Sequence, residues 1–113
     1  MNYYDGKKIL ITGAAGFIGS HLVDQLLKYE VKRIIGLDNL IAGKKINLSE
    51  AEKDSRFEFV LGDITDGMLI NQLSAEVDII FHLAASKLVV SRNNPFIDLH
   101  TNIMGTFNIL SAA

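Results

Sequence analysis

The sequence predicts an α/β fold, a parallel sheet of about four strands built from βαβ units. Three observations carry this. Apolar runs recur at Ile9-Leu10-Ile11, Ile34-Ile35-Gly36-Leu37, Phe57 to Leu61 and Ile79-Ile80-Phe81. They are unbroken rather than alternating, as strands buried on both faces require. Stretches of helical period separate most of them, which calls for right-handed crossovers.

The first run, Lys8 to Thr12, closes at Gly13. From Phe17 the period changes, with Ile18, Leu22 and Leu26 recurring every four residues beside Val23 and Leu27. This predicts an amphipathic helix from Phe17 to about Tyr29. The second run ends at Asp38, and the polar stretch from Asn39 to Arg56 is weakly periodic, with a helical turn or two expected between Asn47 and Lys53. Phe57 to Leu61 forms the third strand, ending at Gly62-Asp63. Asp66 can cap a helix containing Met68, Leu69, Leu73 and Val77. Asp78 to Ala85 is the fourth strand, and Pro95 opens a helix to the C-terminus, with Phe96, Leu99, Ile103, Phe107 and Leu110 on one broad face.

The chain has 113 residues, 49% hydrophobic and 21% charged. That suits one domain with one core and leaves no room for a separate substrate domain. With a formal net charge of -2, nothing favours a nucleic-acid or polybasic membrane surface. The absence of cysteine excludes disulfides, thiolate zinc sites and cysteine nucleophiles. No apolar run approaches the roughly 18 residues needed to span a bilayer. The first residues lack the order of a signal peptide, so a cytoplasmic protein is expected.

The junction after the first strand reads Thr12-Gly13-Ala14-Ala15-Gly16-Phe17-Ile18-Gly19. This Gly-x-x-Gly-x-x-Gly is a spacing variant of the dinucleotide fingerprint. Gly13 permits a tight turn, Gly16 a close approach of backbone to pyrophosphate, and Gly19 close packing of helix on sheet. The helix N-terminus then presents free N–H groups and a positive dipole end to the phosphates. Glycines also mark turns that hold no ligand, but this set follows a strand and opens a helix. Asp38 stands 19 residues beyond Gly19 at the end of the second strand, where the fingerprint places the acid that accepts from ribose hydroxyls. A carboxylate there favours NAD and repels a 2′-phosphate, although Lys44 and Lys45 lie nearby. No P-loop is present, because Gly43-Lys44 is followed by Lys45 and lacks its first glycine. His21, His82 and His100 show no metal-ligand spacing, and no Gly-x-Ser-x-Gly turn occurs. His82, ending a buried strand, is expected to make a structural hydrogen bond.

With the glycine turn, Asp38, Gly62-Asp63 and His82-Leu83-Ala84-Ala85 in view, the chain resembles the N-terminal part of an extended short-chain dehydrogenase/reductase. It is most similar to the NAD-dependent nucleotide-sugar epimerases and dehydratases, of the UDP-glucose 4-epimerase type. Asn94-Pro95 and Asn102-Ile103-Met104-Gly105-Thr106-Phe107-Asn108-Ile109-Leu110 support the likeness, which runs from Lys8 to Ala113. The resemblance implies a Rossmann-type fold, a doubly wound parallel sheet of about four strands in the order 3-2-1-4, and the following roles. Gly13, Gly16, Phe17, Ile18 and Gly19 hold the pyrophosphate, with Asp38 and Asn39 at the adenosine ribose. Asp63 accepts from the adenine amino group while the Ile64 backbone meets the ring. Leu83, Ala84 and Ala85 line the cleft, Lys87 reaches toward it, and Asn102 approaches the nicotinamide side. For Asp63 a strand-ending turn cap, for Lys87 a solvated loop lysine and for Asn102 a local backbone partner remain open alternatives.

In that family the chemistry needs a Ser or Thr after a fifth strand and a Tyr-x-x-x-Lys pair on the following helix. Tyr3 with Lys7 and Tyr4 with Lys8 match the spacing, but they precede the first strand and are read as coincidence. Residues 1–113 are therefore expected to be the N-terminal segment of an NAD-binding domain, without catalytic or substrate-binding parts and inactive alone. A nucleotide-sugar is the substrate expected of the parent enzyme. A stand-alone module that binds NAD or ADP without catalysis is the alternative. Self-association through the fourth strand or the apolar face of the last helix is also expected.

Overall fold

Four parallel strands form one sheet in the order β3-β2-β1-β4 in the computed structural model, which describes residues 2–85, 96 and 99–113. The strands are β1 (Lys8–Thr12), β2 (Arg33–Asp38), β3 (Phe57–Leu61) and β4 (Ile79–His82). Ile9 pairs with Ile34 on one side and Ile79 on the other, so β1 is central. The predicted order and strands are all present, with β4 shorter than the expected 78–85.

The unbroken apolar runs supply both faces of the sheet. Ile9, Ile11 and Ile34 point to one side, where they pack with Val23 and Leu26 of α1 (Phe17–Leu26) and with Leu48 and Ala51. Leu48 and Ala51 belong to two short 3₁₀ turns, Lys45–Leu48 and Ala51–Lys53. Leu10, Ile35 and Leu37 point to the other side, against Ile70 and Leu73 of α2 (Gly67–Ser74) and Ile109 of α3 (Thr106–Ala112). Each fully buried aliphatic side chain contributes about 1.5–3 kcal/mol. Asp66 caps α2, its carboxylate accepting from Leu69 N–H at 3.2 Å as expected.

Three helices differ from the sequence reading. The α2 helix ends at Ser74 and leaves Val77 beyond it, still packed on the core. The α1 helix stops at Leu26 rather than about Tyr29. Arg56 donates to the carbonyls of Leu27 (2.6 Å) and Tyr29 (2.8 Å), satisfying a turn that would otherwise need to continue as helix. Its buried face is Gly19, Ser20, Val23 and Leu26, while Phe17 and Ile18 are exposed.

The last segment is a π-helical stretch, Leu99–Gly105, followed by α3. Phe96, Ile103, Phe107 and Leu110 are exposed, and Ile109 is the buried residue of α3. The cause lies in its polar anchors. Thr106 bonds His82, and Asn108 Nδ2 donates to Ile64 O at 2.9 Å. Those bonds turn the 103/107/110 stripe away from the sheet, since positions four and three apart share a face. Pro95 lies outside the described residues. Among the described residues, no helix is long and apolar enough to cross a membrane.

Candidate nucleotide-binding cleft

A cleft of about 340 Å³ opens at the carboxyl ends of β1, β2, β3 and β4, where doubly wound sheets bind ligands. Gly13 turns the chain sharply out of β1 with φ +70°, a left-handed conformation open to glycine. A Cβ at Gly13 would also lie 2.9 Å from the Ala84 nitrogen. Gly19 seats α1 on that turn, because a Cβ there would overlap the Gly13 carbonyl oxygen.

The α1 helix begins at Gly16 with no side-chain cap and no acidic residue in its first turn. Among the described residues, the first-turn amides of Phe17, Ile18 and Gly19 therefore meet no capping acceptor. Those unpaired N–H groups and the helix dipole make a cradle for an anion. A pyrophosphate fits this cradle.

Asp38 sits at the rim beside the glycine turn and is buried. One oxygen accepts from Ala15 N–H at 2.9 Å and the other from Leu40 N–H at 2.8 Å. Each carboxylate oxygen takes two hydrogen bonds, so Asp38 keeps acceptor capacity for a diol. The Leu40 bond closes an Asx turn that holds Leu40 at φ 63°, a strained setting for a γ-branched residue. Lys45 does not neutralise this rim. It sits 3.7 Å from Glu52 and over the Phe59 ring.

Asn39 reaches across to Asp63, donating from Nδ2 at 2.9 Å. The other Asp63 oxygen accepts from both N–H and Oγ1 of Thr65, each at 2.9 Å. Burial pushes the Asp63 carboxyl up, but the bonds from Asn39 and Thr65 outweigh it and hold the group below its ordinary value. Asp63 is thus an ionised acceptor that also caps a turn. Ile64 is buried beside it, packed where a side chain on Gly105 would stand.

The structure brings Gly13, Gly16, Phe17, Ile18, Gly19, Asp38, Asn39, Asp63, Ile64, Leu83, Ala84 and Ala85 to this one cleft. Asn102 is not among its lining residues; its neighbour Thr101 is. Lys87 lies outside the described residues. Ile41, Ala42 and Gly43 also line the cleft and carried no sequence signal. They are drawn in by Ala15, whose carbonyl accepts from Lys44 N–H at 3.0 Å and from Asn47 Nδ2 at 2.9 Å. His82 makes the expected structural bonds, to Thr12 and Thr106. No cluster of metal-ligating side chains occurs among the described residues.

The sequence profile of the GDP-mannose 4,6 dehydratase family matches residues 10–113. The chain belongs to this family. UDP-glucuronic acid decarboxylase 5 of Arabidopsis thaliana is 43% identical over 107 residues, covering 94% of this chain and 30% of that protein. UDP-glucose 4-epimerase of Mycolicibacterium smegmatis is 44% identical over 108 residues, covering 94% and 34%. The chain also superimposes on DesIV, a dTDP-glucose 4,6-dehydratase from Streptomyces venezuelae crystallised with NAD and TYD. The TM-score is 0.87 at 40% identity, covering 94% of this chain and 35% of that one. The enzyme WbmF of Bordetella bronchiseptica, in complex with NAD+, gives a TM-score of 0.88 at 30% identity, covering 98% and 33%. Family members thus keep this fold and share the resemblance drawn from the motifs. The chain spans about a third of the length of the relatives it matches.

Proposed function

We propose that this chain is the NAD-binding portion of a nucleotide-sugar epimerase or dehydratase. The reading rests above all on one juxtaposition: the uncapped first turn of α1 and the Asp38 carboxylate, itself bonded to the glycine turn at Ala15 N–H, line a single cleft. An anion cradle beside a carboxylate acceptor suits a dinucleotide with a free ribose diol and repels one with a 2′-phosphate. In this reading Gly13, Gly16 and the amides of Phe17, Ile18 and Gly19 hold the pyrophosphate. Asp38 and Asn39 take the adenosine ribose, Asp63 and Ile64 the adenine, and Leu83, Ala84 and Ala85 wall the cleft. Lys87 reaches toward the cleft, and Asn102 serves the nicotinamide end.

When bound, NAD supplies a reversible hydride acceptor for the sugar. The protein's own task here is to bind and orient the cofactor and to exclude water from its adenosine half. A nucleotide-sugar is the substrate class, as for the UDP-glucuronic acid decarboxylase, UDP-glucose 4-epimerase and dTDP-glucose 4,6-dehydratase relatives. Those relatives are enzymes by name, which counts against a non-catalytic module. Self-association belongs to the same proposal, supported by the exposed Phe107 and Leu110. Sedimentation as a monomer at high concentration would end that part of it.

The full protein should be assayed with UDP-glucose, UDP-glucuronate, dTDP-glucose and GDP-mannose, with product read by chromatography. Turnover of one of them with no net consumption of NAD is expected. Failure with all four in a sample that binds NAD would remove the substrate class.

A further inference from the structure

The proton inventory around His82 assigns it a task at the cleft. The Thr12 hydroxyl is wholly buried and has one hydrogen and two acceptor positions. It accepts from Leu83 N–H at 3.0 Å, an amide shared with the Thr12 carbonyl at 3.2 Å, and from Ala84 N–H at 3.1 Å. Its hydrogen is therefore left for His82 Nδ1, 2.8 Å away. Nδ1 is then an acceptor, and the ring's single N–H sits on Nε2, where it donates to Thr106 Oγ1 at 2.9 Å. The tautomer follows from counting partners. Burial, which lowers the pKa of His82, keeps the ring neutral as this count requires.

We propose that His82 is a positioning residue of the cleft: it fixes the Thr12 hydroxyl as a donor, freeing both acceptor positions to hold the Leu83 and Ala84 amides, and braces that wall on α3 through Thr106. The effect on ligand affinity rests on the reading of the cleft as the NAD site. The positioning itself does not.

Long-range ¹H–¹⁵N spectra of the folded protein give the first readout. His82 should show an unprotonated Nδ1 and a protonated Nε2 at neutral pH, and the opposite tautomer or an imidazolium overturns the proposal. Hydrogen exchange at the Leu83 and Ala84 amides gives the second. His82→Phe removes the acceptor, and exchange at Ala84 should quicken about tenfold, the scale of one weakened hydrogen bond, with a smaller change at Leu83, whose N–H keeps the Thr12 carbonyl. His82→Asn returns an acceptor oxygen near the place of Nδ1, and protection should recover. Should His82→Phe fail to fold, Thr12→Ser must keep the protection and Thr12→Val must lose it. Unchanged protection in His82→Phe, or no recovery in His82→Asn, overturns the proposal. NAD titrations of the same proteins should weaken by a similar factor. If folded wild-type protein binds no NAD, the cofactor reading falls, and the spectra and exchange rates still judge His82.

Discussion

Replacing Asp38 by alanine tests the hub that joins the glycine turn to the rim. The carboxylate makes two bonds to backbone N–H groups, those of Ala15 and Leu40. Ala15 is fully buried, so its amide would lose a charged partner with little access to water, a loss of about 2 kcal/mol. Leu40 is half-buried, and water can replace much of its bond, leaving about 0.5–1 kcal/mol. Leu40 also loses the Asx turn that supports its left-handed backbone. The expected cost is about 3 kcal/mol, roughly a hundredfold in the folding equilibrium. Asp38→Asn keeps one acceptor oxygen and should cost about half as much. Urea unfolding followed by circular dichroism measures both. A loss under about 1 kcal/mol for Asp38→Ala, with unchanged slope, would refute the hub.

Further outcomes follow from the same structure. Gly19→Ala drives a Cβ into the Gly13 carbonyl, backbone against backbone, so α1 must lift from the turn; melting should fall by several degrees and NAD affinity with it. His82 is held below its ordinary pKa by burial, so the unfolded chain binds the proton more readily. Stability should be full above about pH 6.5 and decline as the pH falls below it, and His82→Asn should flatten that slope. The Arg56 guanidinium beside Asp54 lowers that carboxyl to about 2. Stability from this pair is present above the ordinary carboxylate range and is lost as the pH falls toward 2. Acid titration of Asp54→Asn should lack that component. Arg56→Ala, which also frees the Leu27 and Tyr29 carbonyls, should cost about 1–2 kcal/mol by urea unfolding.

The strands were legible because burial on both faces leaves an unbroken apolar run, as at Ile9-Leu10-Ile11 and Ile34-Ile35. The cleft was legible where one local turn makes it: Gly13 to Gly19 carries its chemistry within seven residues, and Asp38 falls at a spacing set by one βα unit. What escaped depends on contacts between distant segments. Nothing local to Asn47 or Gly43 signals that Ala15 draws their loop onto the glycine turn. Arg56 ends α1 from beyond β2 and two 3₁₀ turns, so helical period alone runs the helix on to Tyr29. The stripe Ile103, Phe107 and Leu110 has helical spacing, and spacing does not say which way a helix is turned. Thr106 and Asn108 decide that through His82 and Ile64.

The central claim is that the cradle and Asp38 together select NAD. Calorimetry of the folded protein with NAD and with NADP, and with ADP in parallel, tests it most directly. NAD should bind, ADP should retain much of its affinity, and NADP should bind at least about tenfold more weakly, the effect of a phosphate beside a buried carboxylate. Binding of NADP as tight as NAD, or no binding of NAD by demonstrably folded protein, would contradict the account.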